Sequence, residues 1–485
     1  MNSRSVTGES RLLIDGHLVG ARSGETYDNI DPATEQSLGT TADASLADVD
    51  LAITAARRAF DETDWSTNHA FRRRCLEQLV TATEEAAEEF RRIDTAEAGR
   101  PYVRTLGSVN RNIPTLGIWA ELAGGYDYEQ SLSTFRTPGQ GLLRREGYGV
   151  IGAIFTWNCG FYLNVMKIGP ALAAGNTIVV RPAPETPWQT TRFGRLIAEK
   201  TDIPAGVVNI VTSQRPDVAE ALTLDPRVDL VTFTGSTTVG KKIMAQAAVT
   251  MKKVHLELGG KSAAIMLDDV DLETSVPLVI EPLCFNAGQT CSALTRLLLP
   301  RSRYAEGVEL ARASLSAVHV GDPWDPQCGQ GPQISARHRD RVLNYIEMAK
   351  RDCRLVLGGG VPKSLMRGYF IEPTMFADVP PDHTIAQEEI FGPVLAVVPY
   401  EDEEDAVRIA NDSIYGLSGA VHSKSTQRAL DVARRIRTGQ VAVNGVLSNG
   451  PFGGYKQSGI GREVGVWGFE EFLETKSIGL PGNGN

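Results

Sequence analysis

Three polar side chains, far apart in the sequence, are of the types that acyl chemistry needs. Cys291 stands in EPLCFNAGQTCSALTR (Glu281–Arg296), among small and apolar residues with Gly288 close before it. Glycine lets a backbone approach a substrate closely, which suits a nucleophile; a buried packing cysteine would suit the stretch as well. Glu257 stands in LELGGKS between two leucines. Burial would raise its pKa towards that of a useful general base, whereas a strand-end glutamate facing water is the plainer reading. Asn158, in FTWNCGFYL, has an amide that could donate to a developing oxyanion or simply form a turn. Taken singly, none is decisive. Taken together, they supply a nucleophile, a base and an oxyanion donor.

A fourth feature is GSTTVGK at Gly235–Lys241, directly after a strand pattern. It approaches a triphosphate-binding loop, but Lys242 follows where a magnesium-binding hydroxyl is required. Glycines and hydroxyls opening a helix still make an anion site fit for a diphosphate, and a plain strand–helix turn is the alternative. No GxGxxG follows any early strand, so a dinucleotide would have to be held by another route.

The elements that must position these residues fall into blocks. Leu12–Leu18 reads as a short strand or hairpin, and the rest up to residue 125 as mainly helical. Ser45 with Asp48 is a capping box opening a helix with Val49, Ile53, Ala56 and Phe60 at helical spacing. Thr67–Ala98 reads as a long helix broken once and stopped by Gly99 and Pro101. A third helix over Thr105–Leu122 is expected to kink at Pro114. Leu132–Glu146 alternates polar and apolar residues around Pro138 and Gly139, which predicts a hairpin.

From Val150 onward short apolar runs alternate with amphipathic segments of helix length. Strands are expected at Val150–Phe155, Thr177–Val180, Val207–Val211, Asp229–Phe233 and Lys253–Leu258, with helices near Leu163–Ala174, Thr186–Lys200, Pro216–Thr223 and Val239–Ala248 between them. This alternation predicts a doubly wound parallel sheet with ligands at the carboxyl ends of its strands. A second such unit runs from about 262 to the 440s. Phe472–Leu480 reads as a late strand and Pro481–Asn485 as a loose end.

Composition removes several classes. Of 485 residues, 42% are hydrophobic and 22% charged, and the net charge is 49 − 59 = −10. That gives no basic surface for nucleic acid or an anionic membrane. Six cysteines without a CxxC pair and seven scattered histidines give neither a disulfide framework nor a metal centre. No apolar run is long enough to span a membrane, and MNSRSVTGES lacks the apolar core of a signal peptide. A cytoplasmic location is expected.

At this point the sequence resembles the aldehyde dehydrogenase superfamily, from about Leu13 to Ile478. The motifs are WN at Trp157–Asn158, KIGPALAAGNTIVVRPAPETP at Lys167–Pro187, FTGSTTVG at Phe233–Gly240 and LELGGKS at Leu256–Ser262, followed by FNAGQTCSA at Phe285–Ala293, EEIFGPVL at Glu388–Leu395 and PFGGYKQSGIGRE at Pro451–Glu463. The resemblance implies that Cys291 attacks an aldehyde, that Asn158 and the Cys291 N–H hold the oxyanion, and that hydride leaves for NAD or NADP. Glu257 would then activate water against the thioester. Thr156, Trp157 and Leu258 would contact the cofactor, Glu389 and Phe391 would meet its nicotinamide half, and Gly235 and Ser236 its diphosphate. Lys167, Arg181, Ala183 and Pro184 would lie at the adenosine end. The presence of Glu257 favours a free acid product over acyl transfer to a thiol.

Three departures from the family pattern bear on specificity. Thr156 replaces a proline, and Cys159–Gly160 replaces Phe-Pro; both alter the substrate channel. Cys159 is either an inert wall or a redox partner for Cys291. Where the family has glutamate on the adenosine ribose, this chain has Pro184, with Arg181 nearby. Loss of that carboxylate removes a barrier to NADP without creating a preference for it. Phe161, Tyr162 and Trp119 suggest an apolar channel, although aromatics at such spacing also make core. Val446–Asn449 offers no arginine for a carboxylated aldehyde.

The expected architecture is α/β, aldehyde dehydrogenase-like, with two doubly wound units. Residues 1–130 and 151–258 would bind the cofactor, and 259–445 would form the catalytic domain. The hairpin at 131–150 and the segment 446–485 would form a small β oligomerisation element whose edges a partner could cover, giving a homodimer or homotetramer. The competing readings are a thiol hydrolase, a non-enzymatic protein on the same scaffold, and a P-loop NTPase.

Overall fold

The apolar runs pair in parallel, as strands buried on both faces do. The structure, a computed structural model, describes residues 6–133 and 139–481. Pro138 at the hairpin turn, the first five residues and the loose end beyond Pro481 lie outside the described residues.

Eight strands form the first sheet. Val150–Ile154 lies at its centre, between Thr177–Arg181 and Leu230–Thr234. Val208–Ile210 continues one side and Lys253–Glu257 the other, all in parallel. The chain winds outward from Val150–Ile154, then returns to its far flank. That reversal opens a crevice at the carboxyl ends of Val150–Ile154 and Leu230–Thr234, where doubly wound sheets bind their ligands. The edges are antiparallel: the hairpin Leu12–Ile14/His17–Val19 on one side and Gly459–Ile460 on the other.

The second sheet has seven strands in the spatial order Arg354–Leu357, Thr374–Ala377, Val394–Tyr400, Arg296–Pro300, Ala263–Met266, Gly419–His422 and Ala442–Val443. Only its first pair is antiparallel. Leu258–Ser262 links the two sheets without a crossover, so the carboxyl end of Lys253–Glu257 abuts the amino end of Ala263–Met266.

A small third sheet pairs Glu129–Ser133, Gly139–Gly147 and Leu473–Pro481, which joins the expected hairpin to the expected late strand. The segment after residue 446 is nevertheless divided, because Gly459–Ile460 completes the first sheet. Gly459 sits at φ +141°, where an added Cβ would fall 2.0 Å from the Leu256 carbonyl oxygen, so only glycine fits.

Local chemistry explains the helices. The Ser45 N–H donates to the Asp48 carboxylate at 2.8 Å ahead of the helix Leu46–Glu62. The long helical stretch is broken at Ala86 into His69–Glu85 and Ala87–Ala98, and left-handed Gly99 ends the second piece. Pro114 does not kink a helix. It lies in the first turn of Ile113–Gly125, where its missing N–H costs nothing. The helix expected over Leu163–Ala174 is divided by a π-turn at Asn164–Ile168, which carries Lys167. Unforeseen is the helix Leu272–Cys284, which holds Pro277 and Pro282 in its interior; proline there normally argues against helix. Among the described residues no helix is long and apolar enough to cross a membrane.

Candidate active site

Asn158, Glu257 and Cys291 line one pocket of about 230 Å³. Asn158 follows the central strand of the first sheet, and Glu257 is the last residue of a strand two places away. Cys291 arrives differently. Its loop follows the helix Leu272–Cys284 and precedes the strand Arg296–Pro300, so the thiol lies at the amino end of the second sheet.

Buried amides fix that loop. The Gln289 side chain donates to the Asn286 carbonyl at 3.0 Å and accepts the Ile334 N–H at 2.9 Å. Ala287 and Gly288 are both left-handed. A Cβ on Gly288 would lie 2.0 Å from the Gly392 main chain, so this glycine serves the approach of two protein loops rather than of a substrate. The pair Gly259–Gly260 behaves alike. Added Cβ atoms would fall 2.3 Å from the Glu389 carboxylate and 2.5 Å from the Cys291 carbonyl.

The Asn158 amide donates one N–H to the Gln289 carbonyl at 3.0 Å, which leaves its second N–H for the pocket. Glu257 is buried, and neither carboxylate oxygen has a hydrogen-bond partner; His255 Nε2 lies 3.9 Å away, but burial holds that imidazole well below its ordinary pKa. Burial holds the Glu257 carboxyl well above its ordinary range, and the charge of Glu463 adds to the rise, while Lys167 and Arg462 pull the other way. Burial also pushes the Cys291 thiol up, with Cys159, Glu389 and Glu257 acting in the same direction. A base raised towards the pKa of the thiol makes proton transfer between them less uphill.

The pocket continues into a groove of about 480 Å³ over the carboxyl ends of the first sheet; Thr156, Trp157, Thr234 and Gly235 line both. Leu258, Ser236, Glu389 and Phe391 lie on the catalytic side, and Arg181, Ala183 and Pro184 at the far end. The helix Thr237–Ala247 starts at the groove, and Ser236 caps it by accepting the Val239 N–H at 3.4 Å. Its amino end suits a diphosphate. Burial pushes Glu389 up to about 7 although it accepts the Gly260 N–H at 3.0 Å. Phe391, at φ +63°, is held left-handed in the pocket wall, a conformation that a bulky residue rarely adopts. A long groove with an anion-binding helix end in its middle and an aromatic wall at the catalytic end fits an extended dinucleotide.

Of the expected site residues, only Lys167 lies outside both cavities. It is fully buried beside Glu463, with Nζ 2.7 Å from the carboxylate. It stands against the Glu257 environment and not at the adenosine end. The cause is the return of the C-terminal segment, which supplies the counter-charge that a buried ammonium requires. Trp119 and Phe161 are core residues: the Trp119 ring N–H donates to the Val165 carbonyl at 2.9 Å, and Phe161 packs on Phe90. Tyr162 is half-buried, with its hydroxyl 3.4 Å from Glu463.

Some lining residues escaped sequence reasoning. His338 meets Trp157 and Phe391 edge-on and donates from Nε2 to the Phe391 carbonyl at 2.7 Å; burial lowers its pKa to about 4, so it is neutral near pH 7. Arg341 donates to the Glu389 carbonyl at 2.8 Å. Glu185, visible in the sequence one residue after the family's glutamate position at Pro184, also lines the far groove.

The chain matches the model of the aldehyde dehydrogenase family over residues 19–478. It belongs to the aldehyde dehydrogenase family. It is 43% identical over 476 residues to a 3-succinoylsemialdehyde-pyridine dehydrogenase of a Pseudomonas species, covering 96% of this chain and 98% of that one. A Mycobacterium tuberculosis aldehyde dehydrogenase solved with NAD+ superposes with a TM-score of 0.95 at 41% identity, covering 99% and 100% of the two chains. Betaine aldehyde dehydrogenase of Staphylococcus aureus, also solved with NAD+, gives 0.95 at 34% identity, covering 98% and 96%. This aldehyde dehydrogenase oxidises an aldehyde to a carboxylic acid with NAD or NADP as acceptor, by the family's covalent cysteine chemistry.

Proposed function

We propose that Cys291 is the nucleophile, that Asn158 and the Cys291 N–H stabilise the oxyanion, and that Glu257 is the base. The observation that carries this reading is the convergence of the three side chains on one pocket, with a buried Glu257 carboxylate that has no hydrogen-bond partner. Attack by the Cys291 sulfur on the aldehyde carbon, with the thiol proton passing through Glu257 to solvent, gives the thiohemiacetal anion, whose oxygen meets the free N–H of the Asn158 amide. Bound NAD or NADP would supply the hydride acceptor needed to take this adduct to a thioester on Cys291. Glu257 then takes a proton from water as that water attacks the thioester, and Cys291 leaves with the acid released.

Trp157, His338, Phe391 and Glu389 would hold the nicotinamide half, Gly235 and Ser236 the diphosphate, and Arg181, Ala183, Pro184 and Glu185 the adenosine ribose. Thr156 and Leu258 complete the walls. The division of labour follows the sheets, with residues 1–130 and 151–258 binding cofactor and 259–445 carrying the nucleophile. Among the described residues, the small sheet formed by the hairpin and the late strand has two unpaired edges, which supports assembly into a homodimer or homotetramer. A cytoplasmic location completes the reading.

The test is reduced-nicotinamide absorbance with a panel of aldehydes, in the parent and in Cys291→Ala. We expect turnover with at least one aldehyde and none above background in the variant. Reduction that survives Cys291→Ala would remove the covalent mechanism.

A further inference from the structure

The geometry points to Arg100 as a positioning residue for the oxyanion donor: its guanidinium, anchored on Asp94, clamps the main-chain carbonyl of Asn158 and so sets where the Asn158 amide points. The proposal rests on the reading of Asn158 as that donor.

Arg100 follows the left-handed stop Gly99 and is only 4% exposed. Its Nε donates to Asp94 at 2.8 Å, and its Nη2 donates to the Asn158 carbonyl at 2.7 Å. The Asp94 oxygen is itself fixed by the Ser108 hydroxyl at 2.6 Å. The guanidinium carbon also lies 5.2 Å from the centre of the Phe285 ring, in the segment leading to Cys291. One side chain thus touches the end of a helix, the oxyanion loop and the nucleophile loop. Asn286 ties the last two together from its own side, donating to the Asn158 carbonyl at 3.2 Å and to the Gln289 carbonyl at 3.1 Å. With its carbonyl held by two donors and one amide N–H given to Gln289, Asn158 keeps a single direction for its remaining N–H.

A donor aids an oxyanion only when it is aimed where the charge develops, and misplacement by about 1 Å can cost roughly a hundredfold in rate. Arginine suits the clamp because its planar fork directs two donors along fixed lines, whereas a lysine is a point charge.

The experiment compares the parent with Arg100→Met/Asp94→Asn, which leaves no lone buried charge, and with Arg100→Lys, which keeps the charge beside Asp94 should the double variant fail to fold. Circular dichroism melts establish folding. Three quantities are read: kcat/KM for the aldehyde, KM for NAD, and the rate of Cys291 alkylation by iodoacetamide, a displacement that builds no oxyanion. We expect aldehyde kcat/KM to fall roughly 10- to 100-fold in the double variant and less in Arg100→Lys. Alkylation and the NAD KM should stay within about twofold, because neither uses the oxyanion donor. In an Asn158→Ala background the Arg100 substitutions should add little further loss. A parent-like kcat/KM in the folded variants, an equal loss in alkylation, or an undiminished loss in the Asn158→Ala background would each overturn the role of Arg100. If Asn158→Ala alone leaves kcat/KM at the parent level, the oxyanion reading of Asn158 fails and takes this proposal with it.

Discussion

The first sheet offers its carboxyl ends to the site, whereas the second offers its amino ends. Asn158, Gly235 and Glu257 leave the ends of parallel strands that are buried on both faces. Cys291, Glu389 and Phe391 stand in loops that run into the strands Arg296–Pro300 and Val394–Tyr400. Strand ends are positioned by the sheet itself. Loops entering a strand have no such frame, and here they are held by buried amides and by glycine contacts between loops, as at Gln289 and Gly288. The direct link Leu258–Ser262 makes this opposition possible, because it sets one sheet after the other along a single strand direction.

The comparison can be broken first at Glu257, the strand-end residue expected to matter most. Glu257→Gln should slow acid release by roughly 10²- to 10⁴-fold while leaving a burst of reduced cofactor in rapid-quench or stopped-flow records. Because burial holds the parent carboxyl above its usual range, thioester hydrolysis in the parent should rise with pH as Glu257 ionises, and the variant should lose that rise. Unchanged steady-state turnover would mean that the base comes from elsewhere, and the frame of the first sheet would then carry less of the chemistry than the loops of the second.

A smaller effect is expected at the far end of the same frame. Pro184→Glu should lower the NADP/NAD ratio of kcat/KM, by about tenfold if the new carboxylate adds about 1.4 kcal/mol against the 2′-phosphate. Glu185 already lines this groove and faces Arg337 at 4.0 Å, so the parent should use NAD at least as well as NADP. An unchanged ratio would mean that the ribose is not read at Pro184.

The smallest effect concerns stability alone. Glu97 is fully buried, accepts the main-chain N–H groups of Trp188 and Gln189 and the Asn29 amide, and is pushed up to about 8 by burial. The unfolded carboxyl ionises near its ordinary value of 4.5 while the folded one keeps its proton. The folded state therefore loses stability as pH rises from there to about 8, then levels off. Glu97→Gln should flatten this trend in melts between pH 5 and pH 9 and leave aldehyde kcat/KM near the parent. A change in kcat/KM with no change in the melting trend would place Glu97 in the chemistry instead.

Much of the first sheet was legible in the sequence, because buried parallel strands are short apolar runs and the residues at their carboxyl ends line the pocket. The second sheet was read less fully. The strands Arg354–Leu357 and Thr374–Ala377 are short, and the helix Leu272–Cys284 is disguised by two prolines. Lys167 was misplaced because its partner, Glu463, comes from nearly the other end of the chain, and local pattern carries no sign of such a pair. His338 and Arg341 lie on a helix whose polar residues look like any solvated face. Only the packing of that helix against the Glu389–Phe391 loop turns them towards the pocket.

The antiparallel pairing of Gly459 with Glu257, and of the Glu463 carboxylate with Lys167, also orders events in time. A chain grows from its amino end, so Asn158, Glu257 and Cys291 have all been made long before the segment that walls off Glu257. Until residue 463 emerges, Lys167 lacks its counter-charge and the edge of the Glu257 strand stands open to water. Translation thus delivers Asn158, Glu257 and Cys291 first, and the strand Gly459–Ile460 and Glu463 that enclose Glu257 and Lys167 only afterwards.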